Sequence, residues 1–246
     1  MEAAEYEKMF AYEDAHWWFR GKRAVIARVL DRFGAPARGA QSLDVGCGTG
    51  ANLVLLEGRG PAYGVDLSPL ALERCRRRGL RRLARAAADR LPYRADRFDI
   101  VTLLDVLYHR RVEDVRAALT EAYRVCRPGG LLVITDSAFE ALRGPHDVAY
   151  HTGRRFRRRA LAGEVAASGF TVRQSSYMNT LLFPIALAVR LLERRRGADR
   201  TQSDLSQPPA LVNGALATIY GLEARLLGYT SLPVGLSVLI VAEKPR

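Results

Sequence analysis

The sequence predicts an α/β fold in which helices cover both faces of a parallel β-sheet. Short apolar strands alternate with amphipathic helical segments over the first half of the 246 residues, an alternation typical of parallel sheets. The segments 98–104 and 131–135 are nearly continuous apolar runs, as expected for strands that are buried on both faces. Because 48% of the residues are hydrophobic, the chain can form a full core, and long disordered regions are not expected.

Individual elements are predicted from the spacing of apolar residues and from residues that end helices. The first helix carries apolar residues three and four positions apart and ends before Gly34 and Pro36. Pro69 stands at the favoured first position of another helix. In chain order we predict helix 15–33, strand 42–45, helix 52–57, strand 62–65, helix 68–78, strand 98–104, helix 112–126, strand 131–135, helix 157–168, strand 170–177, helices at about 181–196 and 209–228, and strand 235–242.

The basic charge of the chain does not by itself indicate a nucleic-acid binder. The formal net charge is +12, but only Lys8, Lys22 and Lys244 of the 38 basic residues are lysines. Near-absence of lysine favours a composition biased towards arginine over a surface selected to bind phosphate. The sequence also lacks the motifs that hold flipped bases or stack single-stranded bases. No nucleic-acid partner is therefore expected.

Cysteine spacing and the apolar segments bear on metal content and location. Cys47, Cys75 and Cys126 form no Cys-x-x-Cys motif, so neither a zinc site nor a disulfide framework is expected, and no metal is predicted. The N-terminus is acidic and lacks the apolar run of a signal peptide. The longest apolar stretch, 181–192, is too short and too interrupted to span a bilayer. These features predict a cytoplasmic protein.

The strongest local signal is Leu43-Asp44-Val45-Gly46-Cys47-Gly48-Thr49-Gly50, where a predicted strand runs into a glycine-rich turn and a helix. Glycine lets a ligand approach the main chain closely, and a helix start offers free N–H groups to a carboxylate or phosphate. Asp66, at the end of the second predicted strand, can accept hydrogen bonds from ribose hydroxyls, although it could instead be a charge at a helix start. On these residues alone, NAD and S-adenosylmethionine both remain open.

Three later segments separate these alternatives. They are Ala88-Asp89-Arg90-Leu91-Pro92, Leu104-Asp105-Val106-Leu107-Tyr108-His109, and Arg127-Pro128-Gly129-Gly130-Leu131. In order and spacing, the glycine-rich turn and these segments resemble the class I S-adenosylmethionine-dependent methyltransferases over residues 41–177 and the last strand. The resemblance implies a Rossmann-like, doubly wound, mostly parallel seven-stranded sheet with an antiparallel last strand. It also implies a single domain over 1–246, with a helical lid (1–40), a cofactor-binding core (41–177), a helical insertion (178–232), and the last strand and tail (233–246).

The same resemblance implies a site in which each group of S-adenosylmethionine meets one part of the chain. The expected contacts are Gly46, Cys47, Gly48 and Gly50 with Asp44 at the methionine part, Asp66 at the ribose, Leu67 on the adenine face, Asp89 and the Arg90 N–H at the adenine edge, and the Leu104 carbonyl beside Asp105 at the ammonium group. Asp89 has a simpler alternative, which is a turn residue ahead of a proline.

The segment Glu13-Asp14-Ala15-His16-Trp17-Trp18-Phe19 contains both tryptophans of the chain. Together with residues 146–156 and 233–237, it resembles a subgroup of these methyltransferases that has an N-terminal E-x-x-H-W-W-F motif. We expect the N-terminal helix to close over the cofactor, with Trp17 excluding water and Arg23 pairing with the cofactor carboxylate. The alternative is that the tryptophans only anchor this helix to the core.

Candidate catalytic residues follow from the chemistry of methyl transfer. The acceptor atom must be aligned with the methyl group, and a base is needed only if the acceptor must lose a proton. His146 and His151 are the candidate bases or orienting groups, and with Asp147 they are only weak evidence for a metal site. Tyr108, the third candidate, stands where the subgroup usually has a glutamate, which leaves room for a different use of the cofactor.

The sequence therefore predicts a methyltransferase that acts on a small-molecule acceptor, including a lipid- or glycan-type acceptor of anionic or apolar character. The apolar insertion is compatible with an acceptor pocket, a homodimer face or a peripheral membrane contact. Three alternatives stay open. They are the same cofactor with aminocarboxypropyl transfer or cyclisation, a non-catalytic partner module with the same fold, and an NAD-dependent dehydrogenase.

Overall fold

A computed structural model describes residues 3–188 and 205–246. Its helices are α1 (Ala3–Tyr12), α2 (Trp17–Arg32), α3 (Ala51–Glu57), α4 (Pro69–Arg77), α5 (Val115–Val125), α6 (Pro145–Ala149), α7 (Arg158–Ala167) and α8 (Ala210–Leu227), with a 3-10 turn at Glu140–Leu142. Residues 183–188 are also helical. Its strands are β1 (Ser42–Val45), β2 (Ala62–Asp66), β3 (Leu83–Arg85), β4 (Phe98–Leu104), β5 (Cys126–Ser137), β6 (Thr171–Met178) and β7 (Ser237–Glu243).

The strands form one seven-stranded sheet in the order β3-β2-β1-β4-β5-β7-β6. Strands β1 to β5 are parallel to one another, whereas β7 lies between β5 and β6 and is antiparallel to both. The predicted fold class is thus confirmed. Because β1 is flanked by β2 and β4 in a parallel arrangement, the glycine-rich turn and the segments after β2 and β4 come together at one edge of the sheet, where open α/β sheets bind ligands.

Each face of the sheet is covered by its own apolar cluster. One cluster joins the sheet to α2, α3 and α8, with Val29, Leu53 and Leu227 fully buried. The other joins it to α5 and α7, with Leu119 and Leu161 fully buried. A strand between two such layers has no polar face, which explains the continuous apolar run of β4. Within the described part of the chain, no helix has the length and apolar content needed to cross a membrane.

Several boundaries differ from the predictions for identifiable reasons. Strand β5 begins at Cys126, not at 131, because Cys126 already pairs with Phe98 before the register shifts. Helix α5 begins at Val115, since the Asp114 side chain caps it by accepting from the N–H groups of Arg116 (2.8 Å) and Ala117 (3.2 Å). The three-residue edge strand β3 is too short to show an apolar period. Of the predicted helix 181–196, residues 189–196 lie outside the described residues.

Helix α8 packs against α2 at very close range. A Cβ added to Gly21 would lie 2.1 Å from Cδ1 of Tyr220, and the Tyr220 ring is 1% exposed. Only glycine permits this approach. The contact places Trp17 and Trp18, at the start of α2, beside the same ring, with centroid separations of 6.1 and 6.0 Å.

Candidate functional site

A cavity of about 850 Å³ opens at the carboxyl ends of β1, β2 and β4. Helices α1 and α2, the glycine-rich turn, the segments that follow β2, β4 and β5, and residues just before α8 all contribute to its wall. Small-molecule pockets usually measure about 300–1,000 Å³. The cavity therefore has room for a cofactor and a second small molecule.

The glycine-rich turn folds back tightly onto β2. The N–H groups of Gly46 and Cys47 both donate to the Val65 carbonyl, at 2.7 and 3.0 Å. Gly46 and Gly48 have φ of +72° and +54°, and a Cβ at Gly46 would lie 2.5 Å from Val106. Gly46, Cys47 and Gly48 thus present main chain to the cavity. Gly50 departs from the expectation, because it caps α3 and does not line the cavity.

Asp66 is held at the end of β2 by its neighbours' main chain. Its Oδ2 accepts from the Gly48 N–H at 3.0 Å and its Oδ1 accepts from the Ser68 N–H at 2.8 Å. Burial raises the pKa of this carboxyl above its ordinary value. Since each carboxylate oxygen can accept more than one hydrogen bond, Asp66 can still receive hydroxyl groups from the cavity that it lines.

The adenine-side candidates divide into two that reach the cavity and one that does not. Leu67 and Asp89 are on the cavity wall. Arg90 is exposed and is not part of the wall. Its N–H, expected near the adenine, instead donates to the Ala87 carbonyl at 3.2 Å.

Asp44 lies beneath the glycine-rich turn and is not part of the cavity wall. Its Oδ1 accepts from Thr102 Oγ1 at 2.6 Å, while its buried Oδ2 has no hydrogen-bond partner among the described residues. Burial raises the pKa of the Asp44 carboxyl to about 7. The structure therefore gives Asp44 a supporting position under the turn, without direct access to a ligand.

A tight turn after β4 brings Leu104, Asp105 and Tyr108 to the cavity. Asp105 adopts φ +60°, and its N–H donates to the Thr135 carbonyl at 2.7 Å. The buried Asp136 holds the rest of the turn, because its carboxylate accepts from the N–H groups of Leu107 (3.0 Å) and Tyr108 (3.2 Å). Asp136 was not predicted. Its only sequence signal is an acidic residue in an apolar strand.

Lys22 lines the cavity and was also not predicted from the sequence. It lies on α2, is 3% exposed, and forms an ion pair with Asp105. Its ammonium group also lies 5.5 Å from the centroid of the Trp18 ring. A signal existed, since Lys22 is one of only three lysines in this arginine-rich chain.

Helix α1 covers the glycine-rich turn from outside. Its residues Tyr6 and Met9 line the cavity, and Glu7 forms an ion pair with Arg74 on α4. The loop after α1 contains Glu13 and Asp14. Arg78, which follows α4, donates to both of their carboxylates at 2.8 Å. The expected cover over the cavity thus comes from α1 as well as from the helix that carries the tryptophans.

The start of α2 combines the two roles that were weighed for its aromatic residues. His16 caps the helix by accepting from the Trp18 N–H at 3.2 Å. Trp17 and Trp18 pack edge-to-face, with centroids 5.6 Å apart, and both also line the cavity. Arg23 lines it too, and while its Nη2 donates to the Glu13 carbonyl at 2.7 Å, its buried Nη1 has no partner among the described residues.

Of the candidate catalytic residues whose side chains the structure describes, Tyr108 lines the cavity and His151 does not. Burial raises the pKa of the Tyr108 phenol well above its usual range, so Tyr108 stays protonated at neutral pH. His151 has φ +53° and does not line the cavity, and nothing is described of the His146 side chain. His109 lines the cavity, but burial lowers its pKa to about 4, and its Nδ1 caps a turn by accepting from Arg111.

Arg155 supplies the principal fixed cation of the segment after β5. It pairs with Asp147 through Nε and Nη2, both at 2.9 Å, and it lines the cavity. Asp147, one of the residues weighed as a weak metal ligand, is therefore engaged in an ion pair. Among the described side chains, no three His, Cys, Asp or Glu residues are grouped so that they could hold a metal ion.

Residues 43–134 match the family model of the methyltransferase domain. The chain is 35% identical over 123 residues to a demethylmenaquinone methyltransferase of Anoxybacillus flavithermus, an alignment that covers 46% of this chain and 51% of the relative. It is also 35% identical over 130 residues to the erythromycin 3''-O-methyltransferase of Saccharopolyspora erythraea, covering 49% and 42% respectively. The chain thus spans about half the length of the curated relatives it matches.

Similarity to solved structures extends over nearly the whole chain. One is a chain from the complex between the Haloferax volcanii Trm112 methyltransferase activator and a protein assigned as a methyltransferase. It superposes with a TM-score of 0.64 at 20% identity and covers 99% of this chain and 96% of that one. At this identity the similarity concerns the fold alone.

Proposed function

We propose that this chain, which belongs to the class I S-adenosylmethionine-dependent methyltransferases, transfers the methyl group of S-adenosylmethionine to a small-molecule acceptor. The observation that carries the proposal is a single cavity of about 850 Å³ whose wall includes Asp66 and Asp89 as well as Tyr108 and Arg155. Cofactor and acceptor would therefore share one chamber, as a direct transfer requires.

The residues present fit S-adenosylmethionine. Gly46 and Gly48 line the cavity without side chains, and a Cβ at Gly46 would clash with Val106, which suits a cofactor lying against the main chain. The unpartnered Nη1 of Arg23 suits a carboxylate. The carboxylate of Asp66 lines the cavity and can accept hydrogen bonds from two adjacent ribose hydroxyls.

Bound S-adenosylmethionine supplies an electrophilic methyl group on a positively charged sulfur. Gly46, Gly48, Asp66 and Asp89 would hold and orient the cofactor, and the Lys22–Asp105 pair would set the charge beside its amino-acid part. Trp17 and helix α1 would exclude water from the chamber, which prevents loss of the methyl group to solvent.

Two side chains after β4 limit the acceptor chemistry. Tyr108 holds its proton at neutral pH, and His109, with a pKa of about 4, is a weak base. Proton abstraction by either residue is therefore unfavourable near neutral pH. This favours acceptors that are already nucleophilic, such as phenolates, enolates or amines. The curated relatives described above are named for small molecules, demethylmenaquinone and erythromycin, which supports a small-molecule acceptor.

The test is product analysis after incubation with S-adenosylmethionine labelled in its methyl group. Panels of phenols, enols, glycosides and amines should include acceptors that gain the label, with matching release of S-adenosylhomocysteine. Methylthioadenosine formed without any acceptor would instead favour cyclisation within the cofactor, and methylthioadenosine formed together with an alkylated acceptor would favour aminocarboxypropyl transfer. Calorimetry that detects no cofactor binding would refute the proposal and favour a non-catalytic module.

A further inference from the structure

The outward face of α8 is an apolar surface that no described residue covers. Its side chains are Leu211, Val212, Ala215, Thr218, Leu222 and Leu226, which recur at helical spacing on one side of the helix, and we call them the α8 stripe. Leu211 is 89% exposed, Leu222 49% and Leu226 45%. The opposite face, with Tyr220 and Leu227, is buried against α2.

On the described helices α2 and α8, the charges beside the α8 stripe are either positive or paired. Glu223, the acidic residue of α8, is buried, and its carboxylate accepts from the N–H groups of Thr180 (2.7 Å) and Leu181 (2.9 Å). Arg225 is exposed on the stripe side of the helix. The α8 stripe therefore presents no acidic side chain.

Cations and an aromatic side chain mark the end of the α8 stripe. Arg28 stacks on the Tyr229 ring at 5.4 Å and donates to its hydroxyl at 2.9 Å, and Tyr229 is 74% exposed. Arg32 donates to the Leu227 carbonyl at 3.1 Å. The nearby acid Asp31 is paired with Arg59. An apolar face bordered by arginine and tyrosine is typical of helices that lie in a membrane interface.

The positive net charge favours an anionic lipid surface over a second copy of this chain as the partner of the α8 stripe. A second copy of the chain would bring another +12 charge against the arginines at this face, which opposes association. An anionic lipid surface would attract them. We propose that the α8 stripe docks this protein on an anionic lipid bilayer, with its leucines in the interface and Arg28, Arg32 and Arg225 against the headgroups.

The α8 stripe lies close to the cavity in the chain, so docking would bring the cavity near the bilayer. Pro208, which lines the cavity, lies three positions before Leu211 in the chain. Ala186 also lines the cavity, and its neighbour Ile185 is 64% exposed. If the proposed function is right, docking through the α8 stripe places this side of the cavity next to the bilayer, where an apolar acceptor would be dissolved. The docking itself does not depend on that function.

The test is co-sedimentation of the full chain with vesicles of phosphatidylcholine alone and with vesicles that also contain phosphatidylglycerol. Binding is expected only to the anionic vesicles and should weaken as salt is added. The double variant Leu211→Glu/Leu222→Glu should raise the lipid concentration needed for half-maximal binding at least about tenfold.

A matched control separates apolar insertion from simple charge attraction. The double variant Val54→Glu/Val148→Glu changes the net charge equally at two apolar side chains, 46% and 60% exposed, on other helices, and it should bind lipid much more tightly than the stripe variant. Equal losses in both variants, or no binding of the unmodified protein to anionic vesicles, would overturn the proposal. So would a dimer in solution that dissociates only when the α8 stripe is changed. Calorimetric cofactor binding by the same variants reports separately on the proposed function.

Discussion

Replacing Asp66 with alanine removes the carboxylate on which the proposed cofactor site depends most. Hydrogen bonds to a charged group contribute about 1.5–3 kcal/mol, so loss of the ribose contact should raise the Kd for S-adenosylmethionine by about 10- to 150-fold. The same change removes the acceptor of the Gly48 and Ser68 N–H groups. The free energy of unfolding, measured by urea denaturation, should therefore also fall by about 1–3 kcal/mol.

Asp66→Asn separates these two effects. An amide oxygen can still accept from one of the two N–H groups. The amide is also uncharged, so it avoids the cost of burying a charge, which is the cost that raises the pKa of Asp66. Asp66→Asn should therefore lose cofactor affinity while losing less stability than the alanine variant. Isothermal titration calorimetry with S-adenosylmethionine measures the first effect, and urea denaturation measures the second. Glu57→Ala, at an exposed carboxylate of α3, serves as the control, and unchanged affinity in both Asp66 variants would show that the ribose lies elsewhere.

Three other substitutions test the support of the site. The pKa of Asp44 is about 7 in the folded protein and 3.8 ordinarily. The protonated carboxyl therefore contributes its whole stabilising effect below the ordinary pKa, and this effect is lost as the pH rises through about 7. Relative to the unmodified protein, Asp44→Asn should gain stability between about pH 5 and pH 8, by on the order of a few kcal/mol in urea denaturation. Arg78→Met frees the loop after α1, so limited proteolysis before α2 should become faster and cofactor affinity should fall about tenfold; unchanged cleavage would show that other contacts hold α1. Gly21→Ala forces a Cβ into the Tyr220 ring and should cost about 1–3 kcal/mol of stability, whereas Gly214→Ala, with nothing within 4 Å, should not destabilise.

The parts of the structure that the sequence predicted well have a local physical cause. Strand β4 is a nearly continuous apolar run because both of its faces are buried, and Gly46 is glycine because a Cβ would meet Val106. Asp66 could be found because it ends a strand that neighbours the glycine-rich turn. In a parallel sheet, chain order and strand direction alone bring such strand ends together.

The parts that were missed depend on contacts between distant segments. Nothing near Lys22 in the sequence indicates that it pairs with Asp105, 83 positions later. Asp136 supports the turn after β4 from the neighbouring strand, a role set by strand order. His151 was proposed from its residue type, but a side chain that can move protons is useful only where the fold exposes it to the cavity, and His151 is not among the residues that line it. Residue type alone therefore does not determine which side chains line the cavity.

Burial of acids beside the cavity links cofactor binding to pH. Asp44, Asp66 and Asp136 all have pKa values raised by burial, which means that their ionised forms are disfavoured when no cation is near. A ligand with ammonium and sulfonium charges favours ionisation, so S-adenosylmethionine should bind more tightly as the pH rises through about 7, with release of protons. S-adenosylhomocysteine lacks the sulfonium charge and should release fewer. Calorimetry in buffers of different ionisation enthalpy measures the number released, and it should fall in Asp44→Asn. An affinity for S-adenosylmethionine that is constant across this pH range would show that these carboxyls do not sense the ligand.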